Sequence, residues 1–76
     1  MKELLEFIAR SLVDDPDAVR VTQEEVDEVT VLRLEVGPDD VGKVIGRGGR
    51  VARGIRAVVR AAAVRAGTTV SVEIVG

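Results

Sequence analysis

Gly46-Arg47-Gly48-Gly49, followed directly by Arg50, is the one run of residue types in this chain that could do chemistry, and that chemistry is holding an anion. Glycine accepts backbone conformations closed to other residues and lets a phosphate or sugar come close to the main chain. A helix beginning at Arg50 would add its unpaired N–H groups and the positive end of its dipole. Two familiar phosphate loops are excluded by spacing. No Lys-Ser or Lys-Thr pair follows these glycines, as a Walker A loop requires, and the third glycine of a G-x-G-x-x-G fingerprint would fall at Val51. The chain has no histidine and no cysteine, so the usual general base, thiolate nucleophile and soft metal ligands are missing. No convergent carboxylate pair replaces them. An enzyme is therefore not expected, nor is any metal or cofactor.

The residues around the turn extend the pattern. Gly42-Lys43-Val44-Ile45 precedes it and Arg50-Val51-Ala52-Arg53 follows it, both in segments that read as helices. Val44-Ile45-Gly46-Arg47-Gly48-Gly49 resembles the Val-Ile-Gly-x-x-Gly signature of the KH domain. Over essentially its whole length the chain is similar to the KH domain-containing RNA-binding protein A family, small bacterial proteins made of one KH domain. The resemblance implies an α+β, type II KH fold. It further implies that the turn clamps the sugar-phosphate backbone of single-stranded RNA. Carried onto this chain, the RNA-binding residues would be Gly42, Lys43, Ile45, Gly46, Arg47, Gly48, Gly49, Arg50 and Arg53. An apolar groove beside the turn would offer Val41, Val44, Ile45, Val51 and Ala52.

Length and charge set the frame. Seventy-six residues make one domain, expected over 1–76, with 46% apolar residues drawn almost wholly from Val, Leu, Ile and Ala. The net charge of −2 looks wrong for a nucleic-acid binder until its distribution is counted. Residues 41–66 hold seven bases and no acid, whereas residues 1–40 hold twelve acids and four bases. The positive half is centred on the turn. No signal-peptide pattern and no apolar run of membrane-spanning length is visible, so a cytoplasmic location is expected.

The elements that must position the turn follow from periodicity. Lys2 to Val13 reads as an amphipathic helix buried through Leu5, Ile8 and Leu12 with Leu4, and Asp14-Asp15-Pro16-Asp17 ends it. Ala18 to Gln23 alternates with Val19 and Val21 on one side, and Val29 to Val36 puts Leu32, Leu34 and Val36 on the core face. Glu24 to Glu28 joins these two strands. Arg33 and Glu35 read as a charged pair on the open face. Asp39 is the expected N-cap of a short helix over 40–45. Gly42 inside that helix implies a close approach, by a ligand or by the neighbouring helix. Gly46, in the left-handed conformation, would stop it.

Arg50 to Arg65 reads as a long helix buried through Val51, Ile55, Val58, Val59 and Ala62, with Arg53, Arg56 and Arg60 on another face. Gly54 is a second glycine inside a helix, and the sequence alone does not give its reason; a close helix contact is one reading. Gly67 caps the helix, and Thr69 to Val75 forms the last strand with Val70, Val72 and Ile74 inward. The order is αββααβ, in a three-stranded mixed sheet covered by helices on one face. The crossover makes the second and third strands parallel, and the first two pair antiparallel.

Two functions from different classes fit this chain. One is a small single-stranded RNA-binding protein, acting as an RNA chaperone or post-transcriptional regulator. The other is a protein-interaction module working mainly through dimerisation. The family's self-association, and its work with a larger KH-containing partner, support the second. Ala57, Ala61, Ala63 and Val64 continue small apolar residues around the long helix, which points to a homodimer built on its C-terminal half.

Overall fold

The structure is a computed structural model and describes residues 1–75. Helix α1 (Lys2–Leu12) leads through a 3-10 turn over Pro16–Ala18 into β1 (Arg20–Val26) and β2 (Val29–Glu35). A second 3-10 turn over Pro38–Asp40 precedes α2 (Val41–Ile45). After the glycine turn come α3 (Arg50–Ala66) and β3 (Val70–Val75). The expected order, αββααβ, is thus the observed one. The sheet runs β1-β2-β3, with β1 antiparallel to β2 and β2 parallel to β3.

The core is aliphatic. Leu32 and Leu34 from β2, Val19 just before β1 and Val21 within it, and Val70 and Val72 from β3 meet Leu5 and Ala9 of α1, Val44 of α2, and Ile55, Val59 and Ala63 of α3. Burial of a branched aliphatic side chain contributes on the order of 1.5–3 kcal/mol. A core of this kind therefore supplies most of what opposes chain entropy. On the other face of the sheet, Arg33 donates from Nε to Glu73 at 3.0 Å and from Nη1 to Glu24 at 2.9 Å, linking all three strands. Its partners are thus on the neighbouring strands, not Glu35 on its own. Glu73 is the direct neighbour of Arg33 on β3, and Glu24 lies diagonally across on β1, within reach of so long a side chain.

Several boundaries and faces differ from the sequence expectation. Helix α1 ends at Leu12, which is exposed, and its buried seam is Leu5–Ala9 rather than Leu5–Leu12. Helix α3 is buried through Ala52, Ile55, Val59 and Ala63, while Val58 is 50% exposed. The 3-4-4 spacing of that seam keeps two alanines against the sheet, which lets the helix approach closely. Neither Gly42 nor Gly54 has any heavy atom within 4 Å of where a Cβ would sit, so neither marks packing against a neighbouring helix. Ala18 belongs to a 3-10 turn, and β1 begins at Arg20.

The β1–β2 connection is far tighter than the five-residue joint expected. Strand pairing continues through Glu24↔Val31 and Glu25↔Thr30 to Val26↔Val29, leaving only Asp27 and Glu28 in the loop. Both have positive φ, 49° and 68°, the backbone that a two-residue hairpin with the right-handed strand twist requires. The Thr30 hydroxyl donates to Glu25 Oε1 at 2.8 Å and anchors the hairpin just below its tip. Left-handed backbone costs a side-chain-bearing residue about 1–2 kcal/mol. Glu28→Gly should therefore stabilise the domain by about 1 kcal/mol, raising the melting temperature by about 4–8 °C. Thermal unfolding followed by circular dichroism checks this, and an unchanged or lower midpoint contradicts it.

Candidate nucleic-acid interface

The turn joining α2 to α3 is built almost entirely by glycine backbone. Gly46 has φ 76° and ψ 170°, so it ends α2 at positive φ but in an extended conformation, not the left-handed helical one expected. Its N–H still bonds the Gly42 carbonyl at 2.9 Å. A single 3-10 turn follows over Arg47–Gly49, with Gly48 at φ 64°, ψ 18° and Gly49 at φ 77°, ψ 15°. The Gly49 N–H donates to the Gly46 carbonyl at 3.1 Å, and α3 then begins at Arg50. Three of four residues thus occupy backbone space that side chains disfavour.

The glycines are not equivalent. A Cβ on Gly46 would lie 2.5 Å from Val51 Cγ2 and 2.8 Å from the Val51 nitrogen, so α3 packs directly onto this residue. Around Gly48 nothing lies within 4 Å. Gly46 is needed by the protein's own packing, whereas Gly48 leaves an open approach to the main chain from outside. The N–H of Arg50, the first residue of α3, donates to the Arg47 carbonyl and closes the turn onto the helix.

The side chains around the turn divide into two sets. Arg47 and Arg50 are exposed and form no ion pair among the described residues. Arg53 reaches back from the first turn of α3 and donates from Nη1 to the Gly48 carbonyl at 2.9 Å, bracing the loop. Lys43, by contrast, is held. Its Nζ lies 2.9 Å from Asp14 Oδ2 and 3.2 Å from Asp40 Oδ1. Ile45 is half-buried, as are Val41 and Val51, but Val44 and Ala52 are buried in the core. Of the five expected groove residues, those two present no surface there, because α2 and α3 use them to pack on the domain.

Asp40 is the residue that sequence reasoning missed. Asp39 was the expected N-cap, yet no side chain caps α2, and Asp40 is only 2% exposed. Its Oδ2 accepts from the Asp15 N–H at 3.0 Å and its Oδ1 accepts from Lys43. The carboxylate therefore ties the segment after α1 to the start of α2, one helix away from the glycine turn. The one available signal was the Asp40/Lys43 spacing of three, which places the two on neighbouring positions of a helical turn. Arg56, on the face of α3 shared with Arg53 and Arg60, is half-buried, and its Nε donates to the Val72 carbonyl of β3 at 3.2 Å.

Burial pushes the Asp40 carboxyl up, but the backbone N–H groups of Asp15 and Asp14 and the Lys43 ammonium outweigh this and hold it below the ordinary aspartate range. A lowered folded-state value contributes stability that is complete above the unfolded range and is lost as pH falls through the folded one. The domain should therefore lose stability on acidification from about pH 5 downward. Asp40→Asn should be less stable at neutral pH and show a flatter melting-temperature profile across that window. Parallel profiles for the two proteins would contradict this role for Asp40.

A family model described as the KH domain of KhpA and KhpB matches residues 2–74. The chain is 52% identical over 75 residues to the RNA-binding protein KhpA of Clostridium acetobutylicum, covering 99% of this chain and 100% of that one. It is 46% identical over 74 residues to the RNA-binding protein KhpA of Bacillus subtilis, covering 97% of this chain and 91% of that one. Among solved structures, Aquifex aeolicus Era bound to GDP and aluminium fluoride matches with a TM-score of 0.62 at 19% identity. Era in complex with MgGDPNP and a segment of 16S ribosomal RNA matches at 0.61 and 19%. Each match covers 96% of this chain and 28% of Era, and the likeness is one of fold. The αββααβ order, the mixed sheet and the match over residues 2–74 agree, and the chain belongs to the KhpA/KhpB KH-domain family.

Proposed function

We propose that this domain binds single-stranded RNA at the glycine turn, clamping the sugar-phosphate backbone of about four nucleotides, and acts as an RNA chaperone or post-transcriptional regulator in the cytoplasm. The observation that carries the reading is the open main chain at Gly48 flanked by the exposed Arg47 and Arg50. Gly46 and Gly49 shape the turn, Arg53 braces it, and Gly42, whose Cβ position is open, leaves room on α2. Ile45 supplies part-exposed apolar surface for a base. Lys43 takes part with its charge shared with Asp14 and Asp40. That the relatives are named RNA-binding protein supports the reading. The chain's one aromatic residue, Phe7, is 71% exposed on α1, so base recognition would rest on apolar contact and backbone clamping, not aromatic stacking.

A second reading, dimerisation, is favoured by one feature. Ala57, Ala61 and Val64 lie exposed along α3, with Val64 77% exposed and Gly54 open beside them. This outward stripe would seat a second copy or a larger KH-containing partner, leaving the glycine turn accessible. The family description couples KhpA with KhpB, which supports a related partner.

Two measurements test these readings. Arg47→Asp combined with Gly48→Asp should abolish binding to a short single-stranded RNA in fluorescence anisotropy while the circular dichroism spectrum stays unchanged. Aspartate tolerates the left-handed backbone at position 48 and meets no neighbour there. For the parent protein, log K against log salt should fall with a slope of roughly −2 to −3, at about −0.7 per phosphate neutralised. Unaltered affinity in the folded double variant, or a flat salt response, overturns the clamp. For assembly, sedimentation across micromolar concentrations should show a dimer that Ala61→Glu or Val64→Glu dissociates. A monomer throughout, or a dimer indifferent to both changes, contradicts the α3 interface.

A further inference from the structure

The two carboxylates that hold Lys43 are of unlike kinds. Asp40 is buried, and its other oxygen accepts the Asp15 N–H, so withdrawing it would orphan a backbone donor. The Asp14 side chain is 82% exposed and sits in a bend between α1 and the 3-10 turn over Pro16–Ala18, outside any helix or strand. It nevertheless makes the shorter contact to the ammonium, 2.9 Å against 3.2 Å. The hydrogen bond to Asp14, followed by that to Asp40, raises Lys43 above the ordinary lysine value. Asp40 lies at the start of α2, so the ammonium is drawn back along the helix, away from Gly46. The surface around it is open. Gly42 and Lys43 are exposed, nothing lies within 4 Å of where a Gly42 Cβ would sit, and Lys43 begins only about 4.5 Å along α2 from Gly46. Arg47 and Arg50 form no ion pair among the described residues, whereas Lys43 in the same stretch is already neutralised.

Resting on the RNA reading above, we propose that Asp14 is a built-in competitor for the RNA: its carboxylate occupies, on the Lys43 ammonium, the place of a backbone phosphate, and the strand displaces it while Asp40 keeps the ammonium in position. The exchange is feasible because an exposed ion pair is weak, worth a factor of about two to five. It also has an ionic signature. A phosphate that meets a free cation releases a counterion, at about 0.7 in the salt slope. A phosphate that displaces Asp14 leaves a bare carboxylate, which gathers a counterion in return, so the contact with Lys43 adds almost nothing to the slope of the parent protein. The competitor thus sets affinity and salt response together.

Binding of an eight-nucleotide oligouridylate to the full chain, followed by anisotropy at several salt concentrations, tests this. Asp14→Asn should bind about two- to fivefold more tightly, with a slope steeper by about 0.7. Asp17→Asn is the control, since it removes the same charge from the neighbouring turn, is exposed, and pairs with no cation among the described residues. It should leave the slope unchanged and raise affinity less than half as much. In a Lys43→Gln background the gain from Asp14→Asn should fall to the level of that control. Equal gains and equal slopes for Asp14→Asn and Asp17→Asn mean diffuse repulsion and overturn the competition. Unchanged or weaker binding by Asp14→Asn also overturns it, and in each case loss of binding in Gly48→Asp leaves the clamp standing. Binding that survives Gly48→Asp, or no binding by the parent protein, removes the clamp and the competitor with it.

Discussion

The constraint on which the rest depends is the parallel pairing of β2 with β3. Parallel neighbours cannot be joined by a hairpin, so the chain must travel back along the sheet before the next strand can begin. Here that return is made by α2, the glycine turn and α3. Helix α2 is ended after five residues by Gly46, and the chain reverses there. The reversal then sits at one end of the domain, with α3 running the length of the sheet away from it. The topology requires the return, and the glycine turn divides it into a short helix and a long one. Its glycines permit the reversal, and its arginines give the exposed end its charge.

Charge is sorted by the same architecture. The acidic first half of the chain contributes Asp14 and Asp40, which engage the basic residue nearest to them, Lys43. The arginines beyond the turn are spared because α3 lies on the sheet with its acid-free surface outward. On the far face, Arg33 satisfies Glu24 and Glu73 together, where an unbalanced row of carboxylates would otherwise repel across adjacent strands. Formal net charge is therefore a poor guide to how this protein meets a polyanion. Which carboxylates are already engaged matters more.

Much of this was legible before the structure. The switch from a period of two to one near 3.6 places every helix and strand, and the αββααβ order dictates the pairing. The position of the turn between two helices was equally plain. Two of the features that escaped share one cause, contacts between residues distant in sequence. Asp40 looks like any surface acid until the Asp15 N–H is brought against it. Arg56 looks like its neighbours until the Val72 carbonyl arrives beneath it. The seam of α3 was misread at Val58 because alanine carries little hydrophobic signal, yet Ala52 and Ala63 are what the sheet accepts. Asp27-Glu28 lacks the glycine that marks a two-residue hairpin, so the strands looked shorter than they are.

The unequal surroundings of Gly46 and Gly48 bear on how such a sequence would change over time. Gly46 is enforced by Val51 whether or not anything is bound, so every viable descendant must keep it. At Gly48 the protein itself imposes only a left-handed backbone, which asparagine or aspartate can occupy. In a lineage that ceased to use the turn, position 48 would drift toward those residues while position 46 stayed fixed. A degenerate motif that retains its first glycine and has lost the later one would then be the fossil of a discarded ligand site on an intact fold.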